Sequence, residues 1–434
     1  MMNTKTQFFK YVSLSMLSML GLSCYILADT LFVANGVGIN GLTALNLDLP
    51  IYNVIFGLGL LLGVGAATRF TILKAQQETQ KASIYFTHAI QVALLISIPI
   101  MIIGLCFPKQ VVSMLGANAE IQEYAIIYLR GFIGFTPFFI LQQIIVSFLR
   151  NDNNPHLASV AMLTGTVFNI VFDYILIYPC QMGMLGAALA TGCSPIVTLL
   201  ICSLHFIQKK NTFHFVRSSF NFRILKQIIQ IGVPSFITEL STGIIIFVFN
   251  ILILSISGNI AIASYGIMSN LALVVTSLFT GIAQGTQPLI SHSFGAKNHR
   301  HIKDYLRLAF TCAFVLASLI WLSTLLFPET IISFFNSENN QSMIEITKIG
   351  LPIYFFAYFF AGISMNMISY FASTSNVKPS SLLSILRSGV VLIPLSILFA
   401  YLFGLNGIWL SYPISECIIM IIGIFLYKKH KLVC

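Results

Sequence analysis

The sequence contains very few charged residues. Only 8% of its 434 residues are Asp, Glu, Lys or Arg, and 57% are hydrophobic, whereas about a quarter of a soluble globular chain is charged. This balance excludes a water-soluble fold. The eight cysteines are scattered, mostly inside apolar runs, and form neither a disulfide framework nor a zinc-binding spacing.

Motifs of nucleotide-driven and hydrolytic proteins are also missing. The sequence has no Walker loop, no HExxH and no nucleophile elbow. None of the predicted loops is long enough to hold a soluble nucleotide-binding domain, which excludes an ATP-driven pump. We therefore expect neither an enzyme nor a protein that depends on an organic cofactor.

What the sequence does contain is a succession of long apolar runs. A helix that spans a bilayer needs about 20 predominantly apolar residues, and such runs follow one another along the chain. We predict an all-α polytopic membrane protein with twelve transmembrane helices. The predicted spans are 11–33, 45–73, 84–106, 121–149, 157–179, 184–207, 228–256, 260–291, 305–327, 345–372, 381–403 and 405–427.

Lysine and arginine are distributed unevenly between the predicted loops. If the N-terminus is cytoplasmic, twenty of the 23 basic residues lie on the inner side, and only Lys109, Arg130 and Lys348 lie outside. Because positive charge marks cytoplasmic loops, we predict a multi-pass protein of the plasma (inner) membrane with both termini in the cytoplasm. The net charge of +10 then reflects topology and contact with anionic lipid headgroups, and we expect no nucleic-acid partner.

The second half of the chain repeats the first. Segment 107–113, Phe-Pro-Lys-Gln-Val-Val-Ser, matches segment 327–333, Phe-Pro-Glu-Thr-Ile-Ile-Ser, 220 positions later. A shift of six spans preserves the direction through the membrane, so we predict two six-helix lobes related by a parallel pseudo-two-fold axis. The predicted divisions are an N-lobe at 1–207, a basic cytoplasmic inter-lobe linker at 208–226 and a C-lobe at 227–434.

Carboxylates inside the predicted spans are the first candidate functional groups, because an ionised side chain at the bilayer centre costs roughly 3 kcal/mol. Two acids, on spans 1 and 5, are expected at one depth in the outer half of the N-lobe, close to a hydroxyl on span 6. A tyrosine and an amide each precede one acid by four positions and share its helix face. These oxygens suit a proton or a sodium ion. The alternative is that the polar groups only hold neighbouring helices together. The predicted coupling-cation ligands are Asp29, Asp173, Asn169, Thr191 and Tyr25, of which all except Tyr25 would form the sodium site.

The C-lobe lacks counterparts of these acids. Asp29 displaced by 220 positions falls on Phe249, and the region that matches Asp173 contains Ser396. The predicted cation site is therefore confined to the N-lobe.

Three further acids need an interpretation. Glu239 and Glu416 lie well inside their spans and are expected to meet near the midplane of the C-lobe. There they would act as ligands of substrate or of a second cation, or as protonated acids bonded between helices. Asp48, two residues before Pro50, is expected to cap a helix at the outer interface.

Several stretches of the sequence resemble one family of membrane proteins. Segment 281–297, Gly-Ile-Ala-Gln-Gly-Thr-Gln-Pro-Leu-Ile-Ser-His-Ser-Phe-Gly-Ala-Lys, resembles the eighth-helix signature of the multidrug and toxic compound extrusion (MATE) family. Segments that resemble the family's helices 1, 5, 6 and 7 are 29–33 with 41–45, 169–173, 183–191 and 232–236. The resemblance covers nearly the whole chain and implies a coupling cation bound at the N-lobe positions above. Some members also use an acid in helix 10, and here 353–370 contains none.

Together these features predict a secondary active multidrug exporter. It would couple the entry of protons or sodium ions to the efflux of amphipathic, often cationic organic compounds by alternating access. The family resemblance implies this substrate class, and 37 phenylalanines and 16 tyrosines could line an adaptable cavity. The alternative is a lipid-linked precursor flippase of related architecture. A flippase would need cationic side chains inside its cavity to hold pyrophosphate, and we expect essentially none in the inner parts of these helices.

The expected partners follow from this function. They are small drug-like molecules and membrane lipids, and the chain is expected to act as a monomer. No cofactor is expected apart from the coupling proton or sodium ion.

Overall fold

All the regular structure in the described residues, 3–333 and 341–431 of the computed structural model, is helical. The apolar runs fold as helices because intrahelical hydrogen bonds satisfy the backbone where water is absent. The first half contains α1 (Thr4–Gly36), α2 (Ile39–Ala75), α3 (Thr79–Cys106), α4 (Pro108–Met114), α5 (Gln122–Ile133), α6 (Thr136–Asn151), α7 (Pro155–Ile177), α8 (Gly183–Cys202) and α9 (Leu204–Ile207). The second half contains α10 (Phe222–Gly295), α11 (His299–Leu326), α12 (Pro328–Ser333), α13 (Gln341–Phe355), α14 (Tyr358–Ser373), α15 (Val377–Ile385), a π-helical turn (Leu386–Val390) and α16 (Leu392–Lys431).

The described residues contain twelve membrane-spanning segments, which confirms the prediction. Nine helices are long and apolar enough to cross a membrane, and the bent pairs α5–α6 and α13–α14 supply two more spans. Among the nine, α10 contributes two, because Gly258 interrupts it with a φ of 72°. The last helical stretch is interrupted in the same way at Gly404, where φ is 60°, and divides into the eleventh and twelfth spans.

Three of the predicted spans are not straight helices. The span predicted at 121–149 bends by 50° between α5 and α6, and the span predicted at 345–372 bends by 40° between α13 and α14. Pro137 and Pro352 lie close to these bends, where proline removes a backbone donor and crowds the preceding turn. The span predicted at 381–403 contains the π-helical turn, in which Gly389 has a φ of 112°.

The bends also show the internal repeat. The two bent spans are the fourth of their respective halves, and each third span is followed by a short helix, α4 or α12, that begins at a proline. The order of elements is thus the same in both lobes, as the 220-residue repeat predicts.

The linker is docked on the first lobe. The side chain of Phe213 is fully buried, with its ring centroid 5.7 Å from that of Phe70, 4.7 Å from Phe86 and 5.1 Å from Phe148. The predicted linker, 208–226, is also too long, since α10 already begins at Phe222. The segment is therefore an ordered cover over the ends of α2, α3 and α6.

The two lobes touch closely at the end of the bundle that holds this linker and the first residues of α1, which we call the linker side. A Cβ atom added to Gly232 would lie 1.9 Å from the carbonyl oxygen of Leu61, and one added to Gly285 would lie 2.7 Å from the Cα atom of Val12. Only glycine permits such an approach of two backbones. The first turns of α1 also pack into the C-lobe core through Phe8, Tyr11 and Val12.

Polar contacts join the lobes in the same region. Arg150, at the end of α6, donates a hydrogen bond to the side-chain oxygen of Gln284 on α10. Next to it, the amide of Asn151 donates to Gln287 at 3.1 Å, and Gln287 donates to Thr68 of α2 at 2.8 Å. These contacts close the linker side of the interface.

A buried carboxylate, Asp152, ties the linker to the ends of the N-lobe helices. It accepts from Lys74 Nζ at 2.5 Å, from His205 Nε2 at 3.0 Å and from the backbone and hydroxyl of Thr212. Burial alone would raise the pKa of Asp152, but the hydrogen bonds from Lys74, Thr212 and His205 outweigh it and lower this pKa below its ordinary value. The carboxylate therefore stabilises the fold in its ionised form.

We predict that Asp152→Ala destabilises the protein by about 3 kcal/mol, because the buried partners of the carboxylate lose their acceptor. A folded-state pKa below the unfolded one means that this contribution is present above the ordinary pKa of aspartate and is lost as pH falls through the lowered pKa. The free energy of unfolding in detergent, measured at several pH values, tests both points. Lys81→Ala is the control, since the Lys81–Glu78 pair is largely exposed. Equal losses for the two variants would contradict the prediction.

Candidate functional site

Two buried carboxylates face each other inside the N-lobe. Asp29 of α1 is 6% exposed and Asp173 of α7 is fully buried, and the two groups interact electrostatically. The helices that carry them pack against each other. The structure thus brings together the two acids that the sequence placed at one depth.

An amide and a hydroxyl complete one side of this pair. The amide of Asn169 is oriented so that both of its polar atoms are hydrogen-bonded. Its nitrogen donates to Asp173 Oδ2 at 3.1 Å, and its oxygen accepts from the backbone N–H of Thr191 at 3.2 Å. Asn169 lies one turn before Asp173 on α7, and Thr191 comes from α8. Carboxylate, amide and hydroxyl oxygens from three helices therefore converge.

Tyrosines cover the other sides of the pair. Tyr25, one turn before Asp29, shares a hydrogen bond of 2.5 Å with the hydroxyl of Tyr52 on α2. Tyr128 of α5 hydrogen-bonds Thr191 and interacts electrostatically with both Asp29 and Asp173. Two of these three tyrosines, Tyr52 and Tyr128, were not predicted from the sequence.

Part of each carboxylate lacks a partner in the protein. Asp29 Oδ1 and Asp173 Oδ1 are buried and accept no hydrogen bond from the described residues. A buried, unpartnered carboxylate oxygen is destabilising unless a proton or a cation occupies it. The pair is therefore arranged to take up a positive charge.

A small cavity adjoins the site on its linker side. Tyr25, Tyr52 and Thr191 form part of its lining, and the other lining residues are apolar and polar in equal number. Its polar lining includes Gln142, Gln143, Thr166, Ser194 and Thr198. Water and ions can be accommodated here more readily than in the surrounding apolar core.

The corresponding region of the C-lobe is aromatic. Phe249, at the position that matches Asp29, stacks on Tyr265 with a centroid distance of 5.4 Å, and Tyr265 stacks on Trp409 at 5.9 Å. Ser396, at the position that matches Asp173, bonds only to its own helix. The asymmetry between the lobes is therefore built into the core.

Glu239 lies at the interface between the lobes. Its Cβ atom is 3.5 Å from a Cβ atom built on Gly57 of α2, and it interacts electrostatically with Tyr52. It therefore faces the N-lobe rather than the interior of the C-lobe. The expected meeting of Glu239 with Glu416 near the midplane stays a prediction.

Glu416 is paired with an arginine inside the C-lobe. Arg387 Nε donates to Glu416 Oε1 at 2.8 Å, and the two side chains are 13% and 2% exposed. Arg387 was predicted among the basic residues of the inner side, and this prediction is wrong, because Arg387 lies on the π-helical turn between α15 and α16. The expectation that the interior carries no cation is therefore also wrong, although this one is neutralised by its partner.

The position of Asp48 also differs from the prediction. It was expected to cap a helix, but α2 begins nine residues earlier, at Ile39, and Asp48 is fully buried in its interior. The signal that could have found it was its place inside an apolar run, since an acid within a span is a functional candidate by default.

The described residues contain no group of three or more His, Cys, Asp or Glu side chains that could hold a metal ion. The predicted sodium site does not require one, because it combines two carboxylates with an amide and a hydroxyl. Sodium at Asp29, Asn169, Asp173 and Thr191 stays a prediction.

Two lobes of six helices, joined by a linker and carrying buried charge-binding groups at the membrane interior, define a polytopic membrane transporter. The model of the MatE family matches residues 15–175 and 234–398. The chain therefore belongs to the MatE family, whose members are transporters and not enzymes.

Curated relatives and solved structures agree with this assignment. The chain is 27% identical over 377 residues to the multidrug export protein MepA of Staphylococcus aureus, which covers 86% of this chain and 82% of the relative. It is 28% identical over 381 residues to MepA of Staphylococcus saprophyticus, covering 87% and 83%. An outward-facing structure of a multidrug resistance MATE family transporter has a TM-score of 0.92 at 23% identity and covers 100% of this chain and 96% of that one. This last likeness shows the fold.

We predict that Glu416→Leu destabilises the C-lobe by about 3 kcal/mol, because it leaves the Arg387 guanidinium buried without a counter-charge. The double variant Arg387→Leu/Glu416→Leu should recover at least half of that loss, since an apolar pair replaces the ion pair. Unfolding in detergent measures both. A double variant no more stable than Glu416→Leu would contradict this account of the pair.

Proposed function

We propose that this protein is a secondary active multidrug exporter that couples the inward movement of protons or sodium ions to drug efflux. The observation that carries the proposal is the buried Asp29–Asp173 pair, each with a carboxylate oxygen that has no partner in the protein. Such a pair binds a cation strongly when its charges are close and releases it when they are separated or exposed.

Relatives and cavity chemistry support drug-like substrates. The two staphylococcal relatives are named multidrug export proteins. Within this chain, Glu239 lies at the lobe interface and interacts electrostatically with Tyr52. An acid beside an aromatic ring suits amphipathic organic cations, and no further specificity follows from these groups.

The orientation belongs to the same proposal. Placing both termini and the linker in the cytoplasm accounts for the distribution of basic residues. The closed linker side then faces the cytoplasm. A protein closed on its cytoplasmic side is in an outward-facing state, in which drug leaves and the coupling ion enters.

The cycle follows from the geometry of the pair. A proton or sodium ion that binds between Asp29 and Asp173 removes their mutual repulsion and changes the packing of α1 against α7 and α8. Because the first turns of α1 pack in the C-lobe core, that change reaches the lobe interface directly. Drug release is then followed by rocking of the lobes and release of the ion to the cytoplasm.

The driving force is sufficient for accumulation of drug outside. One unit of pH gradient contributes about 1.4 kcal/mol per proton, and 100 mV of membrane potential adds about 2.3 kcal/mol per charge. Every 1.4 kcal/mol corresponds to a tenfold concentration ratio. A single coupling ion can therefore sustain a gradient of several hundredfold.

A lipid-linked precursor flippase is supported less well. Its cavity would have to present free cations to pyrophosphate, whereas the interior Arg387 is paired with Glu416. The protein is proposed to act as a monomer in contact with lipid, with no cofactor beyond the coupling ion.

We predict that Asp29→Asn and Asp173→Asn each reduce gradient-driven export at least tenfold while the protein stays folded, since the amide keeps the shape but cannot bind a proton or neutralise an ion. Export of a fluorescent lipophilic cation is measured in vesicles with a proton gradient and then a sodium gradient imposed, which also identifies the coupling ion. Asp304→Asn, at an exposed position, is the matched control. If both variants export drug as the wild type does, the coupling site lies elsewhere, and Glu239 is the next candidate.

We predict that a membrane-impermeant thiol reagent added to intact cells labels Cys106 and Cys180, which are exposed at the side opposite the linker. With both changed to serine, Lys210→Cys in the exposed part of the linker should react only after the cells are opened. Labelling of position 210 from outside would reverse the proposed orientation.

A further inference from the structure

Asp48 is an acid of the N-lobe to which the proposed cycle gives no role. Its side chain is fully buried on α2, and both of its carboxylate oxygens lack a hydrogen-bond partner among the described residues. Asp29 and Asp173 each have only one such oxygen. Neither carboxylate oxygen of Asp48 is therefore satisfied within the described residues.

A purely structural role does not account for this environment. An ionised structural carboxylate would be held by a cation or by several N–H donors, and the ion pairs in the described chain do not include Asp48. A permanently protonated one would donate its hydroxyl to an acceptor, and neither oxygen has such a neighbour. A buried carboxyl group that nothing holds in either form is instead free to take up and release a proton.

The depth of Asp48 follows from the contact between α1 and α2. The hydroxyls of Tyr25 and Tyr52 are 2.5 Å apart, which fixes the two antiparallel helices at this level. Asp29 lies one turn beyond Tyr25 on α1, and Asp48 lies one turn before Tyr52 on α2. Both acids are therefore displaced by one helical turn, about 5.4 Å, from the tyrosine pair in the same direction, away from the linker side.

Tyr128 links Asp48 electrostatically to the coupling pair. It interacts electrostatically with Asp29, Asp173 and Asp48 alike, while no direct interaction joins Asp48 to either of the other acids. A phenol both donates and accepts hydrogen bonds, so a change of charge on one side of Tyr128 is transmitted to the other.

The titratable groups that face this region come from all the neighbouring elements. They are Asp29 and Tyr25 on α1, Tyr52 on α2, Tyr128 on α5, Asp173 on α7 and Glu239 on α10. All are acids or phenols. Because the described residues form no cluster of three metal-ligating acids, Asp48 is separate from the site of a bound cation.

We propose that Asp48 is a third proton-binding carboxyl of the N-lobe, distinct from the Asp29–Asp173 site, which takes up and releases one proton in each transport cycle. The proposal rests on the antiport function above. Its consequence is a larger number of protons per drug molecule than the coupling pair alone can supply.

The number of protons released on drug binding tests the proposal. Purified protein in weakly buffered detergent is titrated with tetraphenylphosphonium, and a pH-indicator dye counts the protons released per bound ligand over a range of pH. Asp48→Asn should bind the ligand and release about one proton fewer than wild type. Glu120→Gln, an exposed acid at the same end of the N-lobe, should release the same number as wild type.

The outcomes separate this proposal from the function on which it rests. If Asp29→Asn changes proton release and Asp48→Asn does not, Asp48 is not a proton site and the antiport function stands. If neither change affects proton release or export, the N-lobe antiport itself is wrong. Should Asp48→Asn fail to fold, Asp48→Glu replaces it: a shift of the release profile along the pH axis supports the proposal, and an unchanged profile overturns it.

Discussion

The absence of water from the hydrocarbon core is the constraint on which the rest of this structure depends. Backbone groups satisfy it by forming helices, and side chains satisfy it by bonding to their own helix or to a neighbour. Many serines and threonines donate a hydrogen bond to a backbone carbonyl of their own helix. Thr30 donates to the carbonyl of Ile26 at 2.8 Å, and Thr238 donates to that of Pro234 at 2.9 Å. Against this background, a buried carboxylate oxygen without a partner is conspicuous. Such oxygens belong to Asp29, Asp48 and Asp173 in the N-lobe and to Glu416 in the C-lobe, whose other oxygen is held by Arg387.

The two lobes meet the same constraint with different chemistry. The bends, the short interfacial helices and the order of spans repeat, so the backbone solution is shared. The cores differ, because the N-lobe keeps ionisable groups where the C-lobe stacks Phe249, Tyr265 and Trp409. Glu416, deep in the C-lobe, is held by Arg387 at 2.8 Å. Under the proposed mechanism the N-lobe changes its charge during transport, while the Arg387–Glu416 pair keeps its charge constant.

Much of the fold and of the candidate site could be predicted from the sequence, and the features that could not be predicted have physical reasons. Span number and repeat follow from apolar runs of a fixed length, and the depth of Asp29, Asp173 and Thr191 follows from the rise of a helix. The bends do not follow, since a proline near an interface can cap, kink or leave a helix straight. Asp48 and Arg387 were misplaced because both lie near predicted span ends, where an error of a few residues moves a charge from headgroups to core.

The contacts that tertiary packing alone decides were also out of reach. Tyr52 and Tyr128 have no sequence signal that separates them from other tyrosines in the spans, and only the approach of α2 and α5 to α1 brings them to the acids. The docking of the linker through Phe213 could not be predicted either. No sequence signal distinguishes Phe213, which is buried, from Phe215, which is exposed two positions later.

The closed side of the interface has the composition that a reversible contact needs. Its hydrogen bonds run largely between neutral amides and hydroxyls, Asn151, Gln287 and Thr68, and each such bond contributes only about 1 kcal/mol net. Once the lobes part, water replaces these partners, so breaking them leaves no unsatisfied charge. Glycine contacts such as Gly232 against Leu61 add close packing without interlocking side chains. The strong, buried ionic interaction, Asp152 with Lys74 and His205, lies instead within the N-lobe and its linker. The lobe can therefore move as a unit: its internal bonds are costly to break, and the bonds across the interface are not.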